Sequence, residues 1–290
     1  MKSNATNSFY TKRVSILGMF ANLLLLILKI IVGIASGSQA MIADALNSAG
    51  DIFASLMSYI GAKLSSKPSD LDHPYGHGKA EYIYSQFIGI SMIIAASFMC
   101  KSSIESIINA KELTFSVNLL VVCLITIILK FCLFLYVRSV YKIKKSILIE
   151  SSMEDHRNDI FVTSGTIIGI VASYFGLYFV DGIIGAFISI WIFCVGIKIF
   201  RESYSVLLDT NIPEEEQIKI ENEILEFDDV IHVDKITSKP VGMEYIIIIK
   251  ISMDGDLTLR ESHNIGGEIK NYLKNKFDYI SDVIVHINPH

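Results

Sequence analysis

The chain has 290 residues, 51% hydrophobic and 19% charged, with a formal net charge of −5 and a mean hydropathy of +0.48. Disorder is excluded, because it needs low hydrophobicity and a high charge excess, and so is a disulfide-stapled scaffold, since the four cysteines form no C-x-x-C pair. A soluble globular chain is about a quarter charged, which leaves a membrane protein.

Apolar runs follow one another from the start. Residues 14–35 are apolar apart from Ser15, Asn22 and Lys29, and residues 40–64 carry Asp44, Asn47, Asp51 and Lys63. Residues 82–100 hold no charge and residues 113–137 only Lys130; residues 160–176 and 183–197 complete the set. A hydrocarbon core of ~30 Å takes roughly 20 helical residues, so six transmembrane helices are expected, the fifth reaching back to Ser146. No cleavable signal peptide is expected, because residues 1–12 are polar and no small-residue cleavage site follows the first run.

Loop charges orient these spans. Lys2, Lys12 and Arg13 precede the first, Lys63, Lys67 and Lys79 follow the second, Arg138, Lys142, Lys144 and Lys145 follow the fourth, and Lys198 and Arg201 close the sixth. The opposite loops hold Gly37-Ser38-Gln39, then Lys101 and Lys111 offset by Glu105 and Glu112, then residues 176–181. The positive-inside rule therefore places both termini in the cytoplasm, in a multi-pass protein of the cytoplasmic membrane.

From Asp209 the texture changes. Pro213 with Glu214, Glu215 and Glu216 opens a helix; residues 229–237 and 244–253 read as strands; residues 257–277 read as a helix broken by Gly266-Gly267; residues 282–287 alternate as a last strand. The expected architecture is a six-helix transport domain, residues 1–208, and a small α+β ferredoxin-like cytoplasmic domain, residues 209–290, for regulation and dimerisation. Residues 1–208 have 17 Lys and Arg against 13 Asp and Glu, a charge of +4; residues 209–290 have 8 against 17, a charge of −9.

Ionisable groups inside spans are costly, about 2.5–3.5 kcal/mol each on insertion scales. In span two, Asn47 and Asp51 share a face four residues apart, with Asp44 a further turn back; in span five, Asp155 and Asp159 do the same. Counted at ~1.5 Å per residue along antiparallel helices, Asp51 comes level with Asp155 and Asn47 with Asp159. Four oxygen-bearing side chains at one depth suit a hard or borderline divalent cation. The bland alternative is that the acids pair with Lys29, Lys130 or Arg157. Asp44 reads as a helix-packing group or one supporting the ligands, and His156, about 100° round the helix from Asp155, is not counted as a ligand.

A second cluster follows span two. Asp70, His73 and His77 lie within eight residues on a loop bent by Pro74, Gly76 and Gly78, a set that can wrap a Zn²⁺-like ion.

Together, the stretch from Asp44 to Asp51, the His73-Pro74-Tyr75-Gly76-His77-Gly78-Lys79-Ala80-Glu81 run, the Asp155–Asp159 patch, Leu207-Leu208-Asp209 and Val283-Ile284-Val285-His286 resemble the cation diffusion facilitator family of divalent-metal/proton antiporters, over essentially the full length. The resemblance implies a homodimer, a transport site at Asn47, Asp51, Asp155 and Asp159, a loop site at Asp70, His73 and His77, and a charge interlock between Lys79 and Asp209. Zinc-transporting relatives place His in the transport quartet, where this chain has Asn47 and Asp155; the all-oxygen set resembles the manganese-type members. In the second domain His232, His263 and His286 are kept as candidate ligands of a weak regulatory site, with Lys250 and Asn288 where other ligands stand in zinc-rich members; His232 and His263 read equally as solvated surface histidines.

The expected function is proton-coupled efflux of a divalent cation, Mn²⁺ first, with Zn²⁺ or Fe²⁺ as the same machine's other cargo and a non-transporting membrane metal sensor or partner subunit as the rival class. The expected partners are a second copy, metal ions, protons and membrane lipid, with no nucleic acid and no catalytic cofactor. No nucleophile elbow, phosphate loop or H-E-x-x-H pattern suggests an enzyme.

Overall fold

The structure is a computed structural model that describes residues 2–36, 39–109, 117–177 and 179–290. The Gly37-Ser38 connection, the Lys111–Glu112 loop, Tyr178 and the side chain of Lys2 lie outside the described residues. The chain divides into two compact units, Met1–Pro68 with Ala80–Tyr204, and Ser69–Lys79 with Ser205–His290.

The first unit is helical: α1 (Lys2–Ser36), α2 (Gln39–Ser65), α3 (Ala80–Asn109), α4 (Val117–Ile143), α5 (Ile147–Tyr174) and α6 (Phe179–Leu207). Four of them, α1, α3, α4 and α6, are long and apolar enough to cross a membrane. The other two, of 27 and 28 residues, are as long. They are set apart by the acids and amides that they carry, of which Asp51, Glu154, Asn158 and Asp159 are buried.

The outer surface of this unit is apolar. Phe20, Phe98, Ile128 and Phe187 are each more than 60% exposed, the arrangement expected where the solvent is lipid. Inside, Ala54, Ala62, Ile88, Met92, Leu148 and Ile199 form a core shared by α2, α3, α5 and α6. The α3–α6 crossing depends on two glycines. A Cβ on Gly89 would stand 3.1 Å from the Gly196 carbonyl, and one on Gly196 would stand 3.0 Å from that of Gly89, so small residues let the two backbones meet. The N-cap of α5 is Ser146, whose hydroxyl donates to Glu81 Oε1 at 2.5 Å, tying the start of α5 to the start of α3.

The second unit has the expected order of elements: α7 (Glu214–Ile224), β1 (Val230–Pro240), β2 (Tyr245–Met253), α8 (Leu259–Lys276) and β3 (Ile280–Pro289). β2 is central, antiparallel to β1 and parallel to β3, and α8 provides the crossover that a parallel pair requires. Ile247, Ile249 and Ile251 of β2 are fully buried against Ile220 and Ile224 of α7 and Ile269 and Leu273 of α8. Thr258 and Glu261 start α8 with a capping box. The expected break at Gly266-Gly267 does not occur. α8 runs through it, and Gly266 faces β3, where a Cβ would stand 3.3 Å from Ile287 Cδ1; close packing on the sheet outweighs the weak helix propensity of glycine.

Candidate functional site

Asn47, Asp51, Asp155 and Asp159 converge. All four line one cavity of about 1010 Å³ within the first unit, together with Asn158. α2 contributes Asn47 and Asp51 from one face, and α5 contributes Asp155 and Asp159 from one face, as the four-residue spacing requires. Asn47 Nδ2 donates to Asp159 Oδ1 at 3.5 Å, which joins the two helices at the level that the depth count gives. Asp51 and Asp159 are each more than 90% buried.

The alternative pairings are real as well. Lys130, reaching in from α4 and 1% exposed, donates to Asp51 Oδ2 at 2.9 Å and to Asp159 Oδ2. Lys29 of α1 lies 2.8 Å from Asp44 Oδ2 and donates to Ser48 Oγ at 3.1 Å. Arg157 pairs with Glu154 and stacks over Trp191. Pairing and a shared cavity therefore coexist: Asp51 and Asp159 both bond Lys130 and line the cavity with Asn47 and Asp155, while Asp155 has no lysine or arginine partner among the described residues.

His156 lies near the cluster but does not line the cavity. Its Nδ1 is 3.9 Å from Asp155 Oδ2, and Asp155, His156 and Asp159 offer ligand atoms within 4.8 Å of one another. The 100° step between adjacent helix residues turns its ring toward α1, where Cε1 would stand 3.9 Å from a Cβ on Gly18. Asn158, buried with neither amide atom hydrogen-bonded, is a further polar group at the cavity that spacing did not single out. Its only signal was its place inside the Asp155–Asp159 patch.

The loop cluster forms in the second unit. Asp70 Oδ1 accepts from the His73 backbone N–H at 2.7 Å and lies 3.2 Å from His73 Nδ1, Asp70 Oδ2 lies 3.5 Å from His77 Nε2, and the two imidazole rings are 4.5 Å apart. The His73 N–H holds the Asp70 carboxyl below its usual range, favouring the anion that a metal needs. Gly78 fixes the loop against the β1–β2 turn, where a Cβ would stand 2.7 Å from the Val241 carbonyl.

The sequence profile of the cation efflux transmembrane domain matches residues 15–208, and that of the cation efflux protein cytoplasmic domain matches residues 212–290. The chain belongs to the cation diffusion facilitator family. Among similar curated proteins are two manganese efflux system proteins of Bacillus subtilis: MneP, 29% identical over 287 residues, covering 97% of this chain and 96% of that protein, and MneS, 31% identical over 277 residues, covering 95% and 94%. The magnetosome protein MamM of Paramagnetospirillum magneticum is 28% identical over 250 residues, covering 86% and 79%. As a cation diffusion facilitator this chain is a cation efflux membrane protein, with manganese efflux proteins among its relatives.

In this facilitator Lys79 and Asp209 meet, Nζ to Oδ1 at 2.5 Å. The three candidate histidines after Asp209 do not. His232, His263 and His286 are all exposed and share no three-residue ligand cluster among the described residues. His232 Nε2 contacts Asp234 Oδ1 at 2.7 Å. Asn288 donates to Asp234 Oδ2 at 2.8 Å, and this amide hydrogen bond, with Ser252 Oγ beside it, keeps the Asp234 carboxyl below its usual range. His286 stands opposite Lys250 in the β2–β3 register, which puts a cation beside its imidazole.

Proposed function

We propose that the chain exports a divalent cation, Mn²⁺ foremost, from the cytoplasm in exchange for protons, acting as a homodimer in the cytoplasmic membrane with both termini inside. The observation that supports this most is the convergence of Asn47, Asp51, Asp155 and Asp159 on one cavity in the middle of the helical unit. Three carboxylates and an amide carbonyl form an oxygen set, and oxygen ligands suit Mn²⁺. Protons are the natural return ion, because carboxylates surrendering a metal in a low-dielectric site need their charge neutralised.

The cavity also fits alternating access. Its lining runs from Asp51 and Asp155 toward Met41, Ser106 and Asp181, at the start of α2, the end of α3 and the start of α6. With the termini inside, those helix ends face outward. The opposite half is packed: Ser15 donates to Ser58 at 2.8 Å, Ser8 to the Ala62 carbonyl at 2.8 Å, and Leu148 is fully buried. A sensor that only anchored itself would have no use for such a cavity. In this reading Asp44 supports the quartet from its pair with Lys29. Asp70, His73 and His77 hold a second ion, Lys79 and Asp209 act as the interlock, and residues 209–290 carry dimerisation and weak regulatory binding through His232, His263 or His286.

Substituting Asp51 or Asp159 by Ala is expected to abolish metal-driven proton flux in proteoliposomes, and undiminished flux in either variant would sink the assignment. A second reading, Zn²⁺ or Fe²⁺ as cargo, is favoured by one observation, the buried imidazole of His156 beside Asp155. Competition between Mn²⁺ and Zn²⁺ in the same vesicles, with the Asn47→His/Asp155→His variant alongside, decides between them: ligand hardness predicts a shift toward zinc in that variant.

A further inference from the structure

Lys130 is the side chain that the proposed transport chemistry leaves unexplained. It is the largest fully buried side chain of α4 and its ammonium lies in the middle of an otherwise apolar span. A lysine there is costly unless it serves the site it faces. Both of its hydrogen bonds go to the quartet, to Asp51 Oδ2 on α2 and Asp159 Oδ2 on α5, carboxylates 108 positions apart in the sequence. It does not line the cavity itself and reaches these oxygens from the α4 side.

We propose that Lys130 is a built-in counter-cation of the transport site, an ammonium that competes with the cargo for Asp51 and Asp159 and so lowers metal affinity and speeds release. This rests on the reading of the quartet as the transport site. A Mn²⁺ ion binds carboxylate oxygens at about 2.2 Å, the range of hard and borderline divalent cations, and it cannot take both Oδ2 atoms while Nζ holds them. The ammonium must move aside for an ion that uses those two atoms, and it repels one that binds through the other carboxylate oxygens. Lysine suits this, being a point charge on a flexible four-carbon stem, whereas the planar fork of an arginine would grip both carboxylates. Charge fits the same role. Fully ionised, Asp51, Asp155 and Asp159 would contribute three negative charges, and with Lys130 the net is two, the complement of a divalent ion. Without it, the bound ion would sit in a net negative cluster and leave slowly. A carrier must bind well enough to load and weakly enough to unload, a balance shared with conduction pathways.

The test is Mn²⁺ binding by isothermal titration and Mn²⁺ transport kinetics at fixed pH, on the purified full-length protein and on its Lys130→Gln, Lys130→Arg, Asp51→Ala and Asp159→Ala variants. Lys130→Gln is expected to bind Mn²⁺ at least tenfold more tightly, with KM and kcat both lowered. Lys130→Arg is expected to bind at least tenfold more weakly. A purely structural lysine would give weaker binding in the glutamine variant and no opposed pair of effects. If Lys130→Gln does not fold, the arginine variant alone decides, and wild-type affinity there overturns the proposal. Loss of binding in both alanine variants together with unchanged or weaker binding in Lys130→Gln also overturns it while leaving the transport site standing. Unchanged binding in both alanine variants removes the site and the proposal with it.

Discussion

Lys79 Nζ meets Asp209 Oδ1 at 2.5 Å, and Asp209 is the one non-glycine residue with a positive φ, 57°, among the described residues. Two facts about Asp209 are therefore linked. Its N–H bonds the Val206 carbonyl and the Thr210 N–H bonds the Ser205 carbonyl, the Schellman pattern that ends a helix with a left-handed residue. The side chain leaves that turn directly toward Lys79, on the loop that holds Asp70, His73 and His77.

Asp209 should accordingly respond to backbone and charge separately. Asp209→Asn keeps a residue that tolerates the left-handed region and loses only a half-exposed ion pair, about 0.2–1 kcal/mol. Asp209→Ala loses the pair and adds about 1–2 kcal/mol of left-handed strain. Thermal melts of purified protein should rank wild type, then Asn, then Ala; equal loss in the two variants would leave the backbone strain without a role.

Gly61 on α2 should be intolerant of any side chain. A Cβ there would stand 2.8 Å from Tyr84 Cβ and 3.1 Å from Leu148 Cδ1, in the packed half of the helical unit. Overpacking of this kind costs about 1–3 kcal/mol. Gly61→Ala is expected to lower the melting temperature, whereas Gly50→Ala on the same helix, with nothing within 4 Å of its Cβ position, should not. Equal behaviour of the two would contradict the packing.

Much of this was legible beforehand, for reasons specific to the residues. Asp51, Asp155 and Asp159 stand out because a charge in an apolar run is expensive, and their four-residue spacing puts each pair on one face. The order of elements after Asp209 follows from alternation and capping. What spacing does not contain is the rotational order of helices. Whether Lys130 meets Asp51 or faces another helix depends on how α4 packs beside α2 and α5, and periodicity within α4 is silent on that. Lys130 therefore read as an alternative to the metal site, and the structure places it in the same cluster. The association of residues 69–79 with the second unit was hidden likewise, because it depends on Gly78 meeting Val241 and Gly242, far away in the chain.

The second unit should lose stability in acid and not in mild base. Besides Asp70, hydrogen bonds hold these carboxyls of the unit below their usual range: Asp234 by Asn288, Glu216 by Lys219, Glu223 by Lys276, Glu261 by Thr258 and Asp282 by Lys270. Each folded value lies below its unfolded one, near 4. The stabilisation is therefore fully present above roughly pH 4 and is lost as the pH falls through the folded values. Scanning calorimetry of the detergent-solubilised protein should show its transition steady as far as these groups act between pH 8 and 6, then falling below about pH 4. A transition that rises on acidification would reverse the sign.

The Lys29–Asp44 pair should break asymmetrically. Lys29 is 3% exposed and has only Asp44 and Ser48 as partners among the described residues, while the Asp44 side chain is 33% exposed and lines the cavity. Asp44→Ala strands an ammonium between α1 and α2 with one hydroxyl, a loss of about 3–5 kcal/mol. Lys29→Met fills the same space with an apolar chain and leaves a carboxylate that the cavity can hydrate, a loss of about 1 kcal/mol. The double variant removes the stranded charge and should recover most of the difference, because neighbours in one pair are not additive. Melting temperatures of the three proteins check this, and a Lys29→Met protein less stable than Asp44→Ala would show that the carboxylate, not the ammonium, is the buried partner.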